Sequence, residues 1–271
     1  MTRQYCHIGS RTIAYLDSAP TQSELRTLVL LHAFPIGANQ WEPQMRCIPK
    51  GWRLITPDLR GFGGSTEIDS LAALSIGDYA DDVIDLLEEL GIAKAVIGGC
   101  SMGGYATLAL YQAAPQLSEG MVLANTRAGA DSPESRANRR NMLALVDREG
   151  ASGVARDMMS KLIGATTKAS NSNAESTLRR LIKQQSPVAI RAAIHRMMHR
   201  PDSTTLLSQV AVPALVITGA EDEMIPVEES RRMADAIPGA TLIIVPGAGH
   251  LANVEQPAAF NNALNTFLTS L

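Results

Sequence analysis

The chain has 271 residues, 45% of them hydrophobic and 19% charged, a balance that suits one large folded domain and excludes a disordered chain. Its formal net charge of -3 supplies no basic field for nucleic acid or an anionic membrane surface, so small molecules are the expected partners. The three cysteines, Cys6, Cys47 and Cys100, match neither a disulfide framework nor a metal-ligand spacing, which favours a reducing compartment. The start MTRQYCHIGSRTIAYLD alternates polar and apolar residues, and no run of about 18 apolar residues follows it, so a cytoplasmic protein with no membrane segment is expected.

Two alternating runs, Gln4 to Ile8 and Thr12 to Leu16, flank Gly9, Ser10 and Arg11 and predict an antiparallel hairpin. LVLLH (Leu28 to His32), RLITPD (Arg53 to Asp58) and AVIGG (Ala95 to Gly99) are continuously apolar at strand length, as strands covered on both faces are. Between the last two, Tyr79, Val83, Leu86, Leu87 and Leu90 fall at helical spacing, with Gly91 as the stop. A helix ending before Pro115, then MVLAN (Met121 to Asn125), ALVITG (Ala214 to Gly219) and TLIIVPG (Thr241 to Gly247), continue the rhythm. Such alternation predicts an α/β fold with a mostly parallel sheet and helices on both faces.

From about Arg127 to Thr205 the rhythm breaks into helical stretches: RRNMLALVDREG, GVARDMMSKLIG, STLRRLIKQQ and PVAIRAAIHRMMHR. The expected plan is a core over residues 1–126 and 206–271, interrupted by a helical cap over 127–205. The polar stretch from Thr166 to Glu175 reads as a mobile connection within that cap.

Gly99, Cys100, Ser101, Met102 and Gly103 form a GxSxG pattern directly after a buried strand and before a helix. A serine on such a turn adopts a strained backbone that holds Oγ clear of the sheet, and the helix N-terminus offers N–H groups to a developing oxyanion. The glycines at 98, 99, 103 and 104 do not fit a dinucleotide-binding GxGxxG. A neutral hydroxyl needs a base. Of the five histidines, His250 lies in a glycine-rich loop after the final strand, where its side chain can return to the carboxyl edge of the sheet. His7 on the hairpin, and His195 and His199 on a cap helix, read as structural or exposed. Asp222, 28 residues before His250, follows a strand end and gives the order Ser, Asp, His, with Glu221 and Glu223 as neighbouring alternatives. Met102 N–H and Phe34 N–H, the latter in the loop after LVLLH, are the candidate oxyanion donors.

With these residues in place, the chain resembles an α/β-hydrolase of the esterase, enol-lactonase and cofactor-free perhydrolase branch. The resemblance runs over nearly the whole length. It is carried by HAFP at 32–35, DLRGFGGS at 58–65, GGCSMGG at 98–104, GAEDEMIP at 219–226 and GAGHLANVEQP at 247–257. It implies a sheet of about eight strands, Ser101, Asp222 and His250 as a triad, Phe34 and Met102 as oxyanion donors, and the inserted helices as a cap over the pocket. Two departures stand out. Ala33 replaces the glycine usual after the loop histidine, and its Cβ disfavours positive φ, so a different seating of that loop is expected. Cys100 replaces the histidine often found before the nucleophile and reads as a small packing residue.

The expected activity is hydrolysis of small esters through an acyl-enzyme on Ser101, with no metal or organic cofactor. An enol-lactonase, a perhydrolase, and a hydrolase-fold receptor that retains the triad to bind a small ligand are the alternatives. The substrate pocket is expected to draw on His32, Arg127, Met142, Met158 and Met198, since methionines suit an adaptable apolar lining and Arg127 directly follows a strand end.

Overall fold

The computed structural model describes residues 2–66, 74–170 and 172–271. Each apolar run of strand length becomes a strand: β1 (Arg3–Ile8), β2 (Arg11–Asp17), β3 (Arg26–Leu31), β4 (Trp52–Pro57), β5 (Ala95–Cys100), β6 (Ser118–Ala124), β7 (Ala214–Gly219) and β8 (Thr241–Val245). They form one sheet in the order β1-β2-β4-β3-β5-β6-β7-β8. β2 runs antiparallel to both its neighbours, and the remaining pairs are parallel. Every residue of β4, β5 and β7 is buried, as central strands sandwiched by helices require, whereas β1 at the edge has no buried position.

The helices are α1 (Glu42–Met45), α2 (Gly77–Glu89), α3 (Met102–Ala113), α4 (Pro133–Leu162), α5 (Ala165–Ser170), α6 (Ser172–Lys183), α7 (Pro187–Met198), α8 (Val227–Ala236), α9 (Ala252–Glu255) and α10 (Pro257–Ser270). The amphipathic run around Val83 is α2, and Gly91, at φ 66°, ends it. Ser132 caps α4 by accepting the Ser135 N–H at 3.1 Å, with Pro133 in the first turn, where no intrahelical donor is needed. Gly150, at φ 57° and ψ -156°, breaks α4 into two arms.

α4 to α7 fall between β6 and β7. Thr166 to Ser170 lies in α5, and Ser172 onward in α6, so the stretch expected as a mobile connection is helical wherever it is described. Packing overrides its polar composition: Thr167 is buried, and α6 buries Leu178, Leu181 and Ile182. Several bonds fix these helices to the rest. Gly164 N–H donates to Glu255 at 2.7 Å, Thr166 N–H to Glu221 at 2.9 Å and Gly63 N–H to Gln185 Oε1 at 3.0 Å. Among the described residues no helix is long and apolar enough to cross a membrane.

From β3 the chain moves to β4 on one side, then returns to β5 on the other. The loops after β3 and β5 therefore diverge at a switch point, where a crevice opens at the carboxyl ends of parallel strands.

Candidate active site

Ser101 begins at that crevice, between β5 and α3, with φ 54° and ψ -112°. A non-glycine residue held there costs of order 1–3 kcal/mol, and the surroundings fix it from several sides. Its N–H donates to Ala124 C=O at 2.9 Å, while its C=O accepts from Gly104 N–H at 2.9 Å and Thr126 Oγ1 at 2.8 Å. The turn has no room for side chains beside it. A Cβ on Gly99 would overlap the backbone of Gly103, and one on Gly103 would overlap the Leu31 carbonyl at the end of β3. Among the described residues, Ser101 Oγ has no hydrogen-bond partner, and the residue keeps 8% of its surface exposed.

Asp222 and His250 come together from the loops after β7 and β8. His250 Nδ1 lies 2.8 Å from Asp222 Oδ2, and both side chains are buried. Asp222 Oδ1 accepts the N–H groups of Met224 and Ile225 at 2.8 and 2.9 Å. Burial pushes the Asp222 carboxyl up, but His250 and these donors outweigh it and hold it below the usual carboxylate range. The carboxylate thus orients the ring, with Nδ1 turned to the acid and Nε2 away from it. The alternatives fall elsewhere: Glu223 is exposed, and Glu221 is bonded to Thr166. Cys100 Sγ donates to His250 C=O at 3.8 Å, which ties the serine turn to the histidine loop. Burial pushes the Cys100 thiol up to about 12, so it is inert packing.

Three supporting residues escaped the sequence. Asn125, at φ 45°, donates Nδ2 to Asp222 Oδ2 at 2.9 Å and to Gly249 C=O at 3.1 Å. Glu255, buried, accepts the N–H groups of Gly249 at 2.9 Å and Leu251 at 3.1 Å, bracketing His250. Gln40 Oε1 accepts the Ala33 N–H at 2.6 Å, and its Nε2 reaches Asn253 Oδ1 at 3.2 Å. A polar residue closing an apolar strand, as Asn125 closes MVLAN, is the only signal the sequence offered for any of them.

Gln40 and His32 together seat the loop that carries Phe34. Leu59 N–H donates to His32 Nε2 at 3.0 Å, which leaves the ring proton on Nδ1 to bond Ala33 C=O at 3.0 Å. Complete burial holds His32 below its ordinary pKa and hence neutral. Its ring meets Phe62 edge-on at 5.1 Å. Ala33 stays out of the left-handed region, where Ser101 and Asn125 are the non-glycine residues among those described; its Cβ therefore costs the loop nothing in φ. Phe34 N–H has no acceptor among the described residues, and Met102 N–H, the first of α3, has no intrahelical acceptor, since the residue four back lies in β5.

A cleft of about 870 Å³ opens between this loop and α4. Of the residues expected to line a pocket, it brings together Arg127, Met142 and Met158, beside Phe34 and Met224. It does not include His32, whose ring is used inside the core, or Met198, buried at the end of α7. Among the described residues, no group of three or more His, Cys, Asp or Glu side chains is placed to hold a metal ion.

A family model described as alpha/beta hydrolase fold matches residues 26–257. The chain belongs to the α/β-hydrolase fold family. Within that family it is similar to a thermophilic esterase from Thermogutta terrifontis, solved with malate bound, at 34% identity and a TM-score of 0.92, over 100% of this chain and 99% of the other. A putative carbamate hydrolase, RutD, of Caulobacter sp. strain K31 is 30% identical over 91% of this chain and 92% of its own length. 3-Oxoadipate enol-lactonase 1 of Acinetobacter baylyi is 28% identical over 86% of this chain and 85% of its own. The α/β-hydrolase is thus a hydrolytic enzyme by family and by relatives.

Proposed function

We propose that this α/β-hydrolase cleaves small carboxylic esters through an acyl-enzyme on Ser101. The observation that carries the reading is the buried Asp222–His250 pair at 2.8 Å, joined through Cys100 to a serine held at positive φ with a free Oγ. His250 takes the Ser101 proton, the alkoxide attacks the ester carbonyl, and the N–H groups of Phe34 and Met102 receive the oxyanion. Protonated His250, stabilised by Asp222, returns the proton to the leaving alcohol; a water activated by the same ring then releases the acid. The partner is a small-molecule ester or lactone, with no nucleic acid or membrane surface involved.

The somewhat higher identity to an esterase, 34% against 30% to a putative carbamate hydrolase, supports an ester over the C–N bond of a carbamate. Ring opening of an enol-lactone uses the same steps, and the likeness to an enol-lactonase supports it as the second reading. The test is turnover of 4-nitrophenyl butyrate and of a simple enol-lactone by wild type and Ser101→Ala, with fluorophosphonate labelling read by peptide mass. Turnover lost in the variant by about 10⁴-fold or more, with label on Ser101, is expected. An active Ser101→Ala protein refutes the assignment.

A further inference from the structure

The cleft wall beside Phe34 holds more positive charge than the protein neutralises. Asp131, whose side chain is fully buried, is shared by three arginines: Arg127 Nη2 at 3.0 Å and Arg200 Nη1 at 2.6 Å on Oδ1, and Arg139 Nε at 3.0 Å on Oδ2. Burial would raise the Asp131 carboxyl, but Arg139 and Arg200 hold it below its ordinary value, so it is ionised; the second carboxylate nearby, Asp202, acts on Arg200 alone of the three and leaves Arg127 and Arg139 to share Asp131. A latch between cap and core needs only Arg200, which is buried, stacks 3.9 Å over the Tyr105 ring and bonds Gly129 C=O. The other two guanidiniums are surplus, and like charges gathered out of water repel unless an anion completes the set.

Those two are also the ones that reach the cleft: Arg127 and Arg139 line it, with side chains 23% and 20% exposed. The Nε of Arg127 is buried and lacks any partner. Its position is tied to the nucleophile turn, because the adjacent Thr126 bonds Ser101 C=O. The same cleft carries the apolar side chains of Phe34, Met142, Met158 and Met224 among polar ones such as Asn138 and Asn141.

We propose that Arg127, supported by Arg139, binds a carboxylate carried by the substrate, so that the preferred ester is an anionic half-ester with a short aliphatic spacer. The inference rests on the ester-hydrolase reading and names its substrate class. The guanidinium fork meets a carboxylate with two donors, and the methionines take the methylenes between it and the ester carbonyl.

The test compares kcat/KM for the 4-nitrophenyl half-ester of glutaric acid with that for 4-nitrophenyl valerate, in wild type, Arg127→Gln and Arg139→Gln. Calorimetric binding of free glutarate and circular-dichroism melting accompany it. Wild type should favour the half-ester by about tenfold or more, the size of one charge-assisted hydrogen bond. Arg127→Gln should erase that ratio, through KM more than kcat, and weaken glutarate by a similar factor; Arg139→Gln should reduce both less. A wild type that prefers valerate, or a folded Arg127→Gln with an unchanged ratio, overturns the proposal. If Arg127→Gln does not fold, the wild-type ratio and Arg139→Gln decide. If neither ester is turned over, it is the ester-hydrolase reading that fails, and glutarate binding alone decides the anion site: bound by wild type and weakened in Arg127→Gln supports it, unbound overturns it.

Discussion

Replacing Asn125 separates two contributions that the fold combines at one position. Its side chain donates to the buried Asp222 carboxylate at 2.9 Å, and its backbone sits at φ 45°. Asn125→Gly removes the donor and keeps the backbone comfortable. A hydrogen bond to a charged group contributes about 1.5–3 kcal/mol, and removing the buried Oδ1, which has no partner, returns roughly 1 kcal/mol of that. The glycine variant should therefore lose about 0.5–2 kcal/mol. Asn125→Ala loses the same bond but keeps a Cβ at positive φ that glycine lacks, without the polar side chain that lets asparagine tolerate that region, and should be about 1 kcal/mol less stable than the glycine variant. Urea unfolding of the three proteins at neutral pH measures the difference, and ester kinetics reads its effect on His250. With Asp222 less firmly held, kcat/KM should fall about 10- to 100-fold in both variants, as an ångström of misplacement costs. Equal stabilities for the two variants refute the backbone part of this reasoning. A glycine variant as stable and active as wild type refutes the hydrogen-bond part.

Other substitutions probe the remaining supports. Gln40→Met leaves the buried Ala33 N–H without its 2.6 Å acceptor; a loss of about 1–3 kcal/mol in urea unfolding and a drop in kcat without a matching rise in KM are expected. An unchanged kcat there would detach Gln40 from the Phe34 loop. Gly103→Ala drives a Cβ into the Leu31 carbonyl, which should cost about 3 kcal/mol or more by thermal melting; a variant within about 1 kcal/mol of wild type contradicts the described close approach. His32 is neutral in the fold because burial lowers its pKa. The unfolded chain takes up a proton below about pH 6.5 while the folded one does not, so stability falls as the pH drops through that value. The slope approaches about 1.4 kcal/mol per pH unit, and urea titrations of wild type and His32→Gln between pH 7 and 5 should show it shrinking in the variant.

The backbone plan and the pairing of Asp222 with His250 were legible because each is written in local pattern. A buried apolar run followed by Gly-Cys-Ser-Met-Gly reads as a strand, a sharp turn and a helix, and the last two strands each end on a loop that carries one member of the Asp222–His250 pair. The supports were not legible, because their partners are remote in the chain. Gln40 meets Asn253 only once the sheet has closed, and nothing local to either announces the contact. Arg127 could be suspected from its place after β6, but its meaning depends on Asp131, Arg139 and Arg200, which only the folded α4 and α7 bring together. The stretch from Thr166 to Glu175 misled for the opposite reason. Its serines and asparagines favour turns locally, and burial of Thr167 and the α6 leucines prevails.

Glu255 joins the histidine loop to the helical layer. One of its oxygens holds the His250 loop, and the other takes the Gly164 N–H where α4 gives way to α5. Swinging the helices away as a lid would strip that second oxygen of its donor and slacken the segment bearing the histidine. The bond to Gly164 therefore resists movement of the helical layer as a lid, and the cleft between Phe34 and α4 opens beside it. A site so built is assembled before its ligand arrives, and turnover of the proposed ester substrate should be indifferent to the viscosity of the solvent.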